Sequence, residues 1–128
     1  VYENIALVLE ASGEKQSYIK KKVMHVLRTV GMEKKVKALP PTLSGGEQQR
    51  VAVARAVVGD PSIIFADEPT GSLDSKSAQI VLDFLMEYHK KGATVLVASH
   101  NLHLLESSIR GRNIEITDGT IQRAATML

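Results

Sequence analysis

The chain has 128 residues, with 16 basic and 14 acidic side chains, four histidines and no cysteine. That length allows one domain or one piece of a larger one, and 44% apolar with 23% charged residues excludes disorder as the default. A net charge of +2 is too small to argue for a nucleic-acid partner, and the absence of cysteine excludes a disulfide framework, a thiolate nucleophile and a Cys-based metal site.

No apolar run approaches the roughly 18 residues of a membrane-spanning helix. The first residue is Val1, without a signal peptide, so the expectation is a segment of something longer. Val1 to Leu9 is apolar with Glu3 and Asn4 near its start and reads as helical. Residues 12–17 are polar, contain Gly13 and read as a loop. From about Gln16 a helix follows, in which Val23, Val26, Leu27 and Val30 form one apolar stripe. Gly31 sits where a C-cap belongs, and Pro40-Pro41 forbids a continuing helix.

A further helix is expected from Ser44 to about Val58, stopping at Gly59. Residues 62–66 (Ser-Ile-Ile-Phe-Ala) read as a buried strand. Residues 75–91 read as a helix with the stripe Val81, Phe84, Leu85 and Tyr88, basic residues in its last turn and Gly92 after it. Residues 94–98 form the next strand, so a βαβ unit with a parallel pair is expected. Residues 112–117, Asp118-Gly119 and 120–123 read as a β-hairpin. The expected class is α/β, with residues 1–60 helical and 61–128 carrying the strands.

Three stretches carry chemistry. In Leu-Ser-Gly-Gly-Glu-Gln-Gln-Arg (43–50), Ser44 and Glu47 have capping-box spacing. Gly45 and Gly46 fall in the first turn, where packing alone would not choose them, and they leave backbone N–H groups open to an anion. The plain alternative is a capped helix after a Pro-Pro turn. In Ile63 to Gly71, a strand delivers Asp67 and Glu68 to its C-terminal edge, where open α/β sheets place ligands. One acid suits Mg²⁺ and the next can polarise an attacking water; the alternative is a polar turn. Ser72-Leu73-Asp74 and then Ser99-His100 follow, and in a parallel pair His100 and Glu68 share a sheet edge. His25, His89 and His103 read as ordinary residues, and Lys20-Lys21-Lys22 with Lys34, Lys35 and Lys37 as solvated helix faces.

The order of these pieces resembles the ATP-binding-cassette (ABC) ATPases: signature motif, Walker B strand with its acidic pair, D-loop and switch histidine. The match spans about residues 43–100. The close spacing of signature and acidic pair leaves no room for a coiled coil. The opening Val-Tyr-Glu-Asn-Ile-Ala-Leu, the Tyr18-Ile19-Lys20 region and residues 67–74 look most like the bacterial cell-division type, with lipoprotein-release and macrolide-export ATPases as relatives. The resemblance implies an incomplete P-loop NTPase (RecA-like) three-layer core with the ABC helical subdomain. It implies that Ser44, Gly45 and Gly46, together with Glu47 and Gln48, meet the γ-phosphate of ATP held by an opposing subunit. Asp67 would position Mg²⁺ through water, Glu68 would be the general base, His100 would contact the γ-phosphate, and Asp74 would lie at the dimer interface. The implied partners are a second ABC domain, head to tail, and a permease-like membrane protein such as FtsX, at the inner face of the bacterial plasma membrane.

One departure is decisive. The phosphate loop needs a Gly-Lys pair, and no glycine here is followed by lysine. The adenine-stacking aromatic and the glutamine loop also have no match. The expectation is that these 128 residues alone do not hydrolyse ATP. The family's phosphate-loop strand lies between the strands matching 94–98 and 112–117. Its absence leaves unpaired backbone groups, costing about 1–3 kcal/mol each if buried. Either direct pairing of 94–98 with the hairpin or a domain-swapped homo-oligomer is therefore expected. Three readings of the chain compete: half of an enzyme, a non-hydrolysing module docking to an ABC subunit or permease, and a structural helical domain with accidental motifs.

Overall fold

A computed structural model describes residues 1–101 and 111–126. Helices α1 (Tyr2–Ala11), α2 (Gln16–Thr29) and α3 (Gly45–Val57) come first, with 3₁₀ turns at Glu33–Lys35 and Pro40–Thr42 between the last two. Strand β1 (Ile63–Asp67), helix α4 (Ser75–Lys90), strand β2 (Thr94–Ala98) and the hairpin β3 (Arg112–Thr117) and β4 (Thr120–Thr126) follow.

The apolar stripes do what their spacing predicts. Val23, Val26, Leu27 and Val30 are all fully buried, against Ile5, Ala6 and Leu9 of α1 and Val51, Ala54 and Val57 of α3. Each of the buried valine, leucine and isoleucine side chains contributes about 1.5–3 kcal/mol of transfer free energy. Val81, Phe84, Leu85 and Tyr88 of α4 join the same cluster, and the Phe84 and Tyr88 rings meet edge to face at 5.3 Å. Helix α4 is capped at Lys91 and followed by Gly92, whose φ of +105° favours a residue without a Cβ.

Strands β1 and β2 pair in parallel, Ile63 opposite Thr94 through Asp67 opposite Ala98. The strand lies one residue later than its sequence predicts, because Asp67 itself takes a rung of the ladder. Alternation splits the sheet into two faces. Ile64 is buried, with Ala66, Val95 and Val97 partly so, whereas Ile63 and Phe65 of β1 and Leu96 of β2 are exposed. The turn after α3 is also displaced from its predicted residue: Asp60, not Gly59, has the left-handed backbone (φ +49°), and a Cβ on Gly59 would lie 3.6 Å from Val8.

The hairpin forms with Asp118 and Gly119 both at positive φ, as a two-residue primed turn requires, and β4 runs on to Thr126. The expected pairing of 94–98 with the hairpin does not occur. Among the described residues β1-β2 and β3-β4 are separate two-stranded sheets. The penalty argued from sequence applies to buried backbone groups. Here Thr94, Leu96 and Ala98 are exposed, as is most of β3, so these edges lie open to solvent and the burial penalty does not apply to them. His25 and His89 are exposed surface residues, and His103 lies outside the described residues.

Candidate active site

Strand β1 ends by placing Glu68 beyond its last rung. Glu68 has φ +44°, a left-handed conformation that costs a non-glycine residue roughly 1–2 kcal/mol. Its backbone is held on both sides. The N–H donates to the Ala98 carbonyl at 2.8 Å, and the carbonyl accepts from Gly71 N–H at 3.1 Å and from Gln49 Nε2 at 2.8 Å.

The carboxylate thereby reaches the residues that follow β2. Ser99 Oγ donates to Oε2 at 2.9 Å, and the His100 backbone N–H donates to Oε1 at 2.8 Å. The His100 ring nitrogen Nδ1 lies 2.6 Å from the same Oε1. The His100 ring, its backbone N–H and the Ser99 hydroxyl hold the Glu68 carboxyl below the usual glutamate range, against a small opposing effect of burial. A shallow pocket of about 170 Å³ opens beside this pair, lined by Glu68, Thr70, Gly71, Leu73, His100 and Asn101 among others.

Asp67 and Glu68 share the strand end but not a face. Asp67 has the parity of Ile63 and Phe65 and is exposed on their open side, its carboxylate with no hydrogen-bond or ion-pair partner among the described residues. Among the described residues no group of three or more His, Asp or Glu side chains could hold a metal ion. One exposed carboxylate is a donor set that a hydrated Mg²⁺ would accept, since that ion keeps most of its waters.

Helix α3 begins with the predicted capping box. Ser44 Oγ accepts the Glu47 N–H at 3.2 Å and Glu47 Oε2 accepts the Ser44 N–H at 2.9 Å. That backbone bond, with Lys35 at 3.6 Å, lowers the pKa of Glu47. Gln48 donates to the carbonyls of Pro40 and Leu43, which ties the Pro-Pro turn to the helix. The polar ends of Glu47 and Gln48 are thus engaged inside the chain. Gly45 and Gly46 differ. A Cβ on Gly45 would meet open space, but one on Gly46 would lie 3.1 Å from Leu73 Cδ2. A side chain at Gly46 would make Leu73 give by a few tenths of an ångström, so packing bears on the second glycine and not on the first.

Asp74 caps α4, accepting from the Lys76 and Ser77 N–H groups at 3.1 and 3.0 Å. The Ser77 hydroxyl and N–H, then Lys76, lower its pKa. Arg50 Nη1 donates to Ser77 Oγ at 3.0 Å. Sequence reasoning assigned no role to Gln49, Arg50 or Ser99. Ser99 adjoins His100 and was in view, but the partners of Gln49 and Arg50 lie 19 and 27 residues away and leave no local signal.

A family model described as ABC transporter matches residues 1–71. The cell division ATP-binding protein FtsE of Streptococcus pneumoniae (serotype 2, strain D39) is 45% identical over 123 residues, covering 96% of this chain and 53% of its own length. FtsE of Bacillus subtilis (strain 168) is 45% identical over 96% of this chain and 54% of its own, and that of Escherichia coli K12 is 42% identical over 93% and 53%. The chain thus spans about half the length of these relatives. An ATP-binding cassette solved as a dimer in a post-hydrolysis state with ADP and Pi superposes with a TM-score of 0.88 at 32% identity, over 99% of this chain and 56% of that one. An ATP-binding subunit of an ABC transporter shares the fold at a TM-score of 0.85 and 24% identity, over 98% of this chain and 52% of its own. The arrangement of these elements is therefore that of the cassettes, and the direct pairing of 94–98 with the hairpin does not occur among the described residues.

Proposed function

This chain belongs to the ABC transporter family, and from that premise we propose that it is the signature-to-switch half of an ATPase of the cell-division type. The observation that carries the reading is the three-donor grip of Ser99 and His100 on Glu68 at the C-terminal edge of a parallel pair. In this reading Glu68 accepts the proton of the attacking water and His100 orients it and meets the terminal phosphate. Asp67 faces a hydrated Mg²⁺, which supplies charge neutralisation on the phosphate oxygens. Ser44, Gly45 and Gly46 offer the N-terminus of α3, whose first N–H groups have no intrahelical acceptor, to ATP held by an opposing domain. Glu47 and Gln48 shape that turn, and Asp74 presents the start of α4 to the same opposing domain. The partners are a second cassette and a membrane permease such as FtsX, with the chain at the cytoplasmic face of the membrane. The 45% identity to FtsE proteins supports the cell-division assignment.

With no Gly-Lys phosphate loop among its 128 residues, this polypeptide alone does not turn over ATP. Fusion behind the phosphate-loop half of an FtsE relative restores magnesium-dependent phosphate release in a malachite-green assay, and Glu68→Gln lowers it by about 10²–10⁴-fold. Turnover by the 128 residues alone, or an active Glu68→Gln fusion, overturns the reading. A second reading draws on the open Gly45: a non-hydrolysing module that presents α3 to ATP on an intact subunit. ATP titrations of the chain, alone and with an intact homologous subunit, separate the two. The third reading, a structural domain with accidental motifs, is overturned by the family match.

A further inference from the structure

Three residues on one face of α3 touch the catalytic segment. Gly46 closes on Leu73, Gln49 donates to the Glu68 carbonyl, and Arg50 donates to Ser77. They lie three and four residues apart, so one side of the helix meets the whole stretch from the end of β1 to the start of α4. We propose that Gln49 is a positioning residue for Glu68, its side-chain amide holding the glutamate backbone left-handed so that the carboxylate meets Ser99 and His100.

The backbone at Glu68 needs an outside restraint, because only glycine adopts φ +44° without steric cost. The Gly71 N–H closes the local turn but would do so wherever that turn pointed. The Ala98 carbonyl ties Glu68 to β2. Gln49 is the link to the helical core: it is half-buried, and its neighbours Val51 and Ala54 are buried against α1 and α2. A hydrocarbon of the same length cannot donate, and a glutamate would turn a carboxylate toward the carbonyl. The catalytic consequence rests on Glu68 being the general base; the positioning itself does not.

The test uses NMR on the 128-residue chain. The expected result is a scalar coupling across the hydrogen bond from Gln49 Nε2 to the Glu68 carbonyl carbon, with left-handed Cα and Cβ shifts for Glu68. In Gln49→Leu those shifts move to ordinary values and the His100 ring signals move with them, while Gln49→Lys, which keeps a donor of similar reach, restores both. Absence of the coupling in the unaltered chain overturns the proposal whether or not a variant folds. So do unchanged Glu68 and His100 signals in a folded Gln49→Leu chain. In the fusion described above, Gln49→Leu lowers kcat roughly 10- to 100-fold with KM for ATP little changed, and Gln49→Lys recovers it. Full kcat in Gln49→Leu beside an inactive Glu68→Gln overturns the proposal and leaves the base assignment standing. An active Glu68→Gln fusion overturns the base assignment, and the NMR result still decides the positioning.

Discussion

His100 Nδ1 lies 2.6 Å from Glu68 Oε1, and the same oxygen accepts the backbone N–H of His100 at 2.8 Å. A carboxylate can only accept, so the ring nitrogen facing it carries the proton. The other ring nitrogen, Nε2, is then bare in the neutral imidazole, and it can donate to a phosphate oxygen only when it too carries a proton.

The tautomer is directly observable. In ¹⁵N-edited NMR at neutral pH the His100 ring shows the Nδ1–H form. Glu68→Ala removes the acceptor and returns the ring to a mixture dominated by Nε2–H. An Nε2–H ring in the unaltered chain contradicts this geometry.

The same contacts set a pH dependence. The Glu68 carboxyl is held below its ordinary 4.5, chiefly by the His100 ring, so the folded chain binds that proton less readily than the unfolded one. Its stabilisation is complete above about pH 4.5 and is lost as pH falls through the lowered folded value. In ¹³C titrations His100→Ala raises the Glu68 midpoint toward 4.5; an unmoved midpoint removes the ring as the main cause.

The capping box at Ser44 satisfies donors that the first turn of α3 otherwise leaves open. Ser44→Ala costs about 1 kcal/mol in urea denaturation, with an unchanged m-value. No loss of stability means that water replaces the hydroxyl at no cost.

The two signature glycines separate by substitution. Gly45→Ala leaves stability within about 0.5 kcal/mol, since its Cβ enters open space. Gly46→Ala pushes on Leu73 and costs more, and the difference closes in a Leu73→Ala background. Equal costs with Leu73 intact show that the contact does not constrain the helix.

The face of β1-β2 that carries Ile63, Phe65 and Leu96 is apolar and open, with Phe65 77% exposed. Exposed apolar faces and unpaired strand edges promote association. The chain self-associates with concentration in sedimentation experiments, and Phe65→Lys weakens that association. A monomer at every concentration, with or without the substitution, contradicts this.

What the sequence by itself determined was local. The stripe 23-26-27-30, the Ser44–Glu47 cap and the Asp118-Gly119 turn follow from periodicity, short-range hydrogen bonding and turn chemistry within a few residues. The strand–helix–strand order implies the parallel pairing of β1 and β2, and with it Glu68 and His100 on one sheet edge, though the paired residues are distant in the chain. Only the tertiary structure decided which way Glu68 turns. A left-handed glutamate carries no compositional mark, and its restraints come from Gln49, Gly71 and Ala98, two of them 19 and 30 residues distant along the chain. The pleat sends Asp67 to the open face, and the left-handed turn at the next residue carries the Glu68 carboxylate to the histidine. Adjacent letters part because the strand ends between them, and distant ones meet because α3 packs across the end of β1.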